Sequence, residues 1–458
     1  MNRSRPPRVP GARELALQAL LAVDTEGAYS NLALNDVLQK HRPEPKEAAL
    51  ATELVYGTIQ RRNTLDAVLN RYINKGMEKL QPWVRSLFRL SAYQLLYLDR
   101  VPTHAAVSEA VEIAKRRGHQ GISGMVNAVL RNIVRNPGAL EPPERLSPSE
   151  RISFVHSHPE WLVRRWIEQF GEETASRIAE ANNEPPHVSV RANVLKNSRD
   201  DLLERFIRSG LEARPSEASP AGIVVKGAGN MAHSDWYKEG LCTIQDESSM
   251  LVAAVADPAP GARVLDCCAA PGGKTTHLAE LMGGTGTVVS CDIHPHKREL
   301  IETNVRRLGL ANVETHTEDA TRLADKFPEE SFDCVLLDAP CSGFGVIRRK
   351  PDIKWTKTPE DVGEIARIQS DILHSVHRLV KPGGVLVYST CTLEAEENER
   401  QMERFLAAFP EFRPDASMPG TIPQIVLDTC SAGEGQLRVL PHHFGSDGFF
   451  IARLRRRS

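Results

Sequence analysis

Aromatic residues are scarce: Phe, Trp and Tyr make up 5% of the 458 residues. A surface that reads bases chiefly by ring stacking is therefore not advertised. Long apolar runs are missing too. No stretch approaches the ~20 residues that span a bilayer, so no membrane partner is expected. The basic start, residues 1–10, has no apolar run behind it and does not read as a leader. The eight cysteines keep no regular spacing, and five of them fall between Cys242 and Cys334 without a CxxC pair. Neither a disulfide frame nor a metal site is expected, and the thiols are read as reduced in a cytoplasmic protein. Net charge is nearly absent, at −2 overall, but it is unevenly spread. Residues 1–140 hold 20 Lys/Arg against 12 Asp/Glu, whereas the remainder holds 37 against 47. An acidic half joined to a basic half suits a polyanionic substrate gripped by the basic region.

The length suggests two to four domains. From Arg13 to about Val134, apolar residues recur at three- and four-residue intervals, broken at Pro43, Pro45, Gly76, Pro82, Pro102 and Gly118. That pattern predicts an all-helical domain over 1–140. A Pro- and Glu-rich hinge at 136–150 leads into a smaller α+β segment, 150–235, with strand VSVRAN and helix SRDDLLERFIRSG. From 236 to 458, short apolar runs alternate with amphipathic helices, the mark of a doubly wound, largely parallel sheet.

Five motifs fall at the carboxyl ends of those predicted strands. The first, VLDCCAAPGGKTT, turns from strand to helix through Cys268, Ala269, Ala270, Pro271, Gly272, Gly273 and Lys274. Its glycines admit a ligand close to the backbone. The spacing is neither GxGxxG nor a P-loop, so a phosphate-free nucleoside such as S-adenosylmethionine fits better. The second is Asp292, which can accept from ribose hydroxyls or cap the following helix, or do both. The third is Asp319, either a receiver of the adenine amino group or a solvated turn. The fourth is Asp338-Ala-Pro-Cys341-Ser-Gly, and the fifth is Ser-Thr-Cys391-Thr. A purely structural cysteine prefers a strand interior. Two thiols at the mouths of adjacent strands beside a nucleoside loop point to chemistry.

Cytosine C5 is a poor nucleophile. Thiolate addition at C6 makes C5 enamine-like and able to take a methyl group. A carboxyl group at Asp338 suits hydrogen bonding to N3 and the exocyclic amine. Cations near the thiolate would favour it, and Lys274, Arg348, Arg349 and Lys354 are the candidates. A helix is expected to open directly after Cys391, at EAEENERQMERFL. Which cysteine attacks stays open on chemistry alone.

At CCAAPGGKTTHLAE, DAPCSGFGVIRRKPDIKW, VYSTCTLEAEEN and DGFFIARL the sequence resembles the Sun/Fmu family of RNA cytosine-5 methyltransferases. NLALNDVL, SAYQLLYLDRVPTHAAVSEAVEIAKRR and GMVNAVLRN resemble the NusB-like domain that these enzymes carry. The resemblance implies a NusB-like RNA-binding domain over 1–140 and a small α+β RNA-binding or linker domain over 150–235. It implies a Rossmann-like catalytic domain with a mixed seven-stranded sheet over 236–458. It assigns attack to Cys391 and product release to Cys341. Cys268 through Lys274, Asp292, Asp319 and Asp338 become the contacts to S-adenosylmethionine, with no metal. The implied partner is 16S ribosomal RNA or an early small-subunit particle, met by a monomer. Gln245 and Asp246 are placed at the junction near the cofactor, or as a helix cap. Cys267 departs from the family pattern, with only a packing consequence expected, and His294 stands after Asp292 in place of the more usual acidic neighbour, with a slight change of the adenosine pocket expected. The competing readings are an inactive RNA-binding scaffold and a DNA cytosine-5 methyltransferase. Intact cysteines, Asp338 and Lys274 count against the first. The Thr-Cys-Thr cysteine and the helical front count against the second.

Overall fold

The computed structural model describes residues 10–227 and 229–458; all of the basic start read above except Pro10 lies outside them. The described chain divides into two compact units. One holds residues up to Asn183 together with Lys350–Thr356; the other holds Glu184–Arg349 and Lys357–Ser458. The division falls inside the 150–235 segment.

The first unit is helical, as its periodicity requires. Leu17, Leu20, Leu54, Leu65, Phe88, Leu90, Ile113 and Leu130 meet in one buried core. Each such side chain contributes about 1.5–3 kcal/mol through burial. Pro82 opens the helix Pro82–Tyr97, where its missing N–H costs nothing. The continuous periodic run over 47–73 resolves into two helices, Pro45–Gln60 and Arg62–Asn70. The break is supported from outside: Ser157 Oγ accepts from the Asn63 and Thr64 N–H groups, at 3.0 and 3.3 Å. Those are donors that a helix start leaves unpaired. The Pro/Glu-rich hinge ends in a capping box between Ser147 and Glu150, which starts the helix Pro148–His156.

Seven residues from far along the chain complete this unit. Asp352 accepts from the Ser30 N–H and hydroxyl, at 3.2 and 2.5 Å. Lys354 donates to the Gln60 and Ser157 carbonyls at 2.9 and 2.6 Å, and the Trp355 indole donates to Ile59 O at 2.7 Å.

The second unit begins with a four-stranded antiparallel sheet. Its strands are β1 (Val188–Ala192), β2 (Glu212–Pro215), β3 (Gly222–Lys226) and β4 (Cys242–Ile244), in the order β2-β3-β1-β4. The helix Arg199–Arg208 closes the core of this sheet with Leu202 and Phe206.

The large sheet follows. Its strands are β5 (Arg263–Asp266), β6 (Thr287–Asp292), β7 (Val313–Thr317), β8 (Phe332–Asp338), β9 (Val380–Thr390), β10 (Phe412–Pro414), β11 (Ser431–Gly433), β12 (Gln436–Val439) and β13 (Phe449–Arg456). The order is β11-β12-β13-β9-β8-β5-β6-β7, with β10 paired to β13. Pairing is parallel from β7 to β9, and β13 runs antiparallel to β9 and β12, so the sheet is mixed. The expected seven strands form its body, and the short β10 and β11 extend it. Alternation puts Val264, Leu336 and Val387 on one apolar face, and Leu265, Val335, Leu337 and Tyr388 on the other. Strand order reverses between β5 and β8, which opens the ligand crevice beyond their carboxyl ends.

Candidate active site

β5 ends in Asp266, which is fully buried. One of its oxygens accepts from the Thr275 hydroxyl at 2.6 Å, and the other has no hydrogen-bond partner of good geometry among the described residues. Burial pushes this carboxyl up to about 7, and the neighbouring Asp338 adds to the effect. The chain then turns through Cys267–Gly272 into the helix Gly273–Leu281. Gly272 takes a φ of +99°, and a side chain there would press on Ile301 at 3.2 Å. From β6, Asp292 reaches back to accept from the Ala270 N–H at 3.3 Å and from the His294 N–H at 3.1 Å. Asp292 thus organises both the loop and the start of the next helix.

The crevice is completed by β8 and β9. Asp338 closes β8, and its two oxygens accept from the Lys274 ammonium and the Ser389 hydroxyl, each at 2.7 Å. Burial pulls Lys274 down, but the ion pair with Asp338 and the nearby Cys391 sulfur outweigh it, leaving the ammonium held above its ordinary range. Cys341 and Cys391 follow β8 and β9, and their sulfurs lie 3.3 Å apart. Cys341 is pushed well up by its hydrogen bond with the Cys391 sulfur, by burial, by the charge of Cys391 and by the carboxyls of Glu397 and Asp338. The Lys274 ammonium stands close enough to the Cys391 sulfur to feel its charge.

Sequence reasoning placed Cys268–Lys274, Asp292, Asp338, Cys341 and Cys391 at strand ends, and the structure brings them to one rim of the sheet. Asp319 also follows its strand, but one oxygen is spent capping the turn Ala320–Asp325 through Thr321. Of the four candidate cations only Lys274 belongs to this rim. Arg348 donates to the Pro441 and Gly445 carbonyls, and Arg349 pairs with Asp246 and Asp447. Lys354 belongs to the helical unit, buried, with its ammonium pushed well down by desolvation. The helix expected directly after Cys391 starts only at Glu399. Residues 393–398 turn instead, because Asn398 is tied to the Thr390 hydroxyl and the Thr392 carbonyl.

Asp246 caps the helix Glu247–Ala256, while Gln245 bonds Arg191 and lies beside Gly273. Arg191 was missed. It is fully buried on β1 and pairs with Glu280 on the helix after the glycine loop, at 2.9 Å. It also donates to the Gly273 carbonyl at 2.8 Å. Breaking so buried a pair by removing one partner costs about 3–5 kcal/mol. Its place in a strand pattern, at the arginine of VSVRAN, gave no sign of this. Ser342, Ser389, Thr392 and Glu397, which surround the thiols, were quoted in motifs but given no task.

The strand order, the glycine-edged loop and the acidic rim define a Rossmann-like methyltransferase domain, here joined to a helical front. The family described as 16S rRNA methyltransferase RsmB/F matches residues 253–455. The NusB family matches residues 10–135, and the ferredoxin-like domain of RsmF/B-like methyltransferases matches 158–232. A "Probable ribosomal RNA small subunit methyltransferase B" from Bacillus subtilis is 44% identical, over 97% of this chain and 98% of its own. A protein of the same description from Synechocystis is 37% identical over 97% and 99%. The crystal structure of PH0851 superposes with a TM-score of 0.79 at 28% identity, covering 99% of this chain and 100% of that one. The chain belongs to the RsmB/F family of 16S rRNA methyltransferases.

Proposed function

We propose that this enzyme methylates carbon 5 of a cytosine in 16S ribosomal RNA, with Cys391 attacking C6 and Cys341 assisting release. The observation that carries the reading is the 3.3 Å approach of the two sulfurs at the ends of β8 and β9, beside the Lys274–Asp338 pair. Attack is given to Cys391 on the family resemblance, and release to Cys341, which its contact with the Cys391 sulfur, burial and the carboxyls of Glu397 and Asp338 hold well above the ordinary thiol range. Addition forms the Cys391 S–C6 bond and shifts an electron pair toward N3. Asp338, already accepting from Lys274 and Ser389, is suited to accept from the exocyclic amine rather than to donate. After the C5–methyl bond forms, loss of the C5 proton and rupture of the S–C6 bond restore the aromatic ring.

S-adenosylmethionine, which the family implies, would supply an electrophilic methyl group when bound. The residues fit it. Its sulfonium, amino group and ribose hydroxyls need negative or accepting partners, and Asp266 leaves a buried oxygen without a well-placed donor among the described residues. Cys268 through Lys274 would pass along the nucleoside, with Asp292 toward the ribose, Asp319 toward the adenine and Asp338 toward the reacting end. No described helix is long and apolar enough to cross a membrane. We assign RNA gripping to 1–140 and to the small domain over 150–235, catalysis to 236–458, and a monomer working in the cytoplasm on free RNA or an early particle.

Incubation with S-adenosylmethionine and unmodified small-subunit RNA, followed by nucleoside analysis, tests this. The expected product is 5-methylcytidine in RNA and none in a DNA acceptor. A methylated base other than 5-methylcytidine would overturn the reading.

A further inference from the structure

The two sulfurs sit on separate loops, so their approach must be set by whatever ties those loops together. Each cysteine is followed by a hydroxyl residue, and the Ser342 and Thr392 hydroxyls meet at 2.7 Å. Ser342 is in turn held by Glu397. Its N–H donates to one carboxyl oxygen at 2.9 Å, and its O–H donates to the other at 2.5 Å. Gln369 completes the arrangement, donating to the same carboxyl at 3.0 Å and to the Pro340 carbonyl at 2.9 Å. A hydroxyl donates only once. Since Ser342 donates to Glu397, Thr392 must donate to Ser342, and the carboxyl orients the whole relay.

The backbone of Glu397 is fixed as well: its carbonyl accepts from the Tyr388 hydroxyl at 2.6 Å, on β9. Gly345 closes the two loops from the other side, donating to the Cys391 carbonyl at 2.9 Å. A side chain on Gly345 would strike the Gly448 carbonyl at 2.0 Å. Glu397 is fully buried, yet it serves three donors that flank the thiols. No described cation pairs with it; its compensation is the Ser342 N–H and hydroxyl together with Gln369.

We propose that Glu397 is a positioning residue that clamps the Pro340–Ser342 loop to Thr392 and thereby holds the Cys341 and Cys391 sulfurs together. The proposal rests on the reading of these cysteines as the reactive pair. Glu397→Gln keeps the shape but sets an N–H where one carboxyl oxygen was: in place of the oxygen shared by the Ser342 N–H and Gln369 it loses both bonds, and in place of the other it forces the Ser342 hydroxyl to accept and reverses the relay. A displacement of about 1 Å at reacting atoms costs on the order of 10²-fold in rate.

The test has two arms. In steady-state methyl transfer to small-subunit RNA, Glu397→Gln is expected to lower kcat by about 10²-fold, with the KM for RNA and the affinity for S-adenosylmethionine unchanged. In the second arm no RNA is used. Diamide takes two hydrogens from two thiols, leaving a disulfide and a hydrazine. The rate of Cys341–Cys391 cross-linking, read by peptide mass, is expected to fall by a similar factor in Glu397→Gln at an unchanged thermal midpoint. Ser342→Ala removes the relay but keeps the Ser342 N–H bond. It should slow both arms less, and the double variant should be no slower than Glu397→Gln. Wild-type cross-linking and kcat in Glu397→Gln would overturn the clamp, as would losses that only track the thermal midpoint. Because cross-linking needs no substrate, a failure of the methylation reading shows in wild-type transfer and not in this arm.

Discussion

Cys391→Ala is expected to lose methyl transfer to small-subunit RNA by about 10⁴-fold or more while binding S-adenosylmethionine with wild-type affinity. The size follows from chemistry. Without an adduct at C6, cytosine C5 carries too little electron density to accept a methyl group, and positioning alone cannot replace that activation. The selectivity follows from geometry. The Cys391 sulfur touches Cys341, whereas the residues proposed to hold the cofactor, the loop after β5, Asp292 and Asp338, bond among themselves and to Lys274 and Ser389. Equilibrium binding and single-turnover transfer on the same preparation separate the two effects. Retained transfer would remove Cys391 from the reaction.

Cys341→Ala is expected to do the opposite to the intermediate. With the thiol at 3.3 Å removed, Cys391 still adds to C6, but the group beside it that helps to expel the base is gone. A covalent protein–RNA species should accumulate only when S-adenosylmethionine is present, retarded on a denaturing gel, and turnover should fall. The double variant Cys341→Ala/Cys391→Ala should form none. The environments of the thiols predict this direction, since Cys341 is kept protonated by its sulfur contact, burial and the carboxyls of Glu397 and Asp338. An adduct from Cys391→Ala and none from Cys341→Ala would exchange the two roles.

Much of this was legible in one sequence, for a physical reason. A parallel sheet announces its strands as short apolar runs, and the residue types that cannot be core mark where each strand ends. Asp292 and Asp338 were found that way, and Cys341 and Cys391 by standing just beyond such ends. The role of Lys354 was not legible. A lysine thirteen residues after Cys341 looks like a neighbour of the thiol, yet it is buried in the helical unit on two carbonyls, and no local pattern encodes so distant a partner. The helix expected at EAEEN failed because propensity and charge favoured it, while tertiary bonds to Glu397 and Asn398 held those residues in a turn. Arg191 was hidden in the same way: in an alternating strand an arginine reads as solvent-facing, and only the buried Glu280 explains it. The relative roles of the cysteines lay outside motif and spacing, and their proposed division rests on the family resemblance.

The central claim is that the carbon methylated is C5 of cytosine. Small-subunit RNA carrying tritium at cytosine C5 tests it most directly, because that hydrogen must leave when the carbon gains a methyl group and the ring is restored. The account predicts one tritium released to water for each methyl group incorporated from S-adenosylmethionine. Methyl incorporation with the tritium retained in the RNA would contradict it.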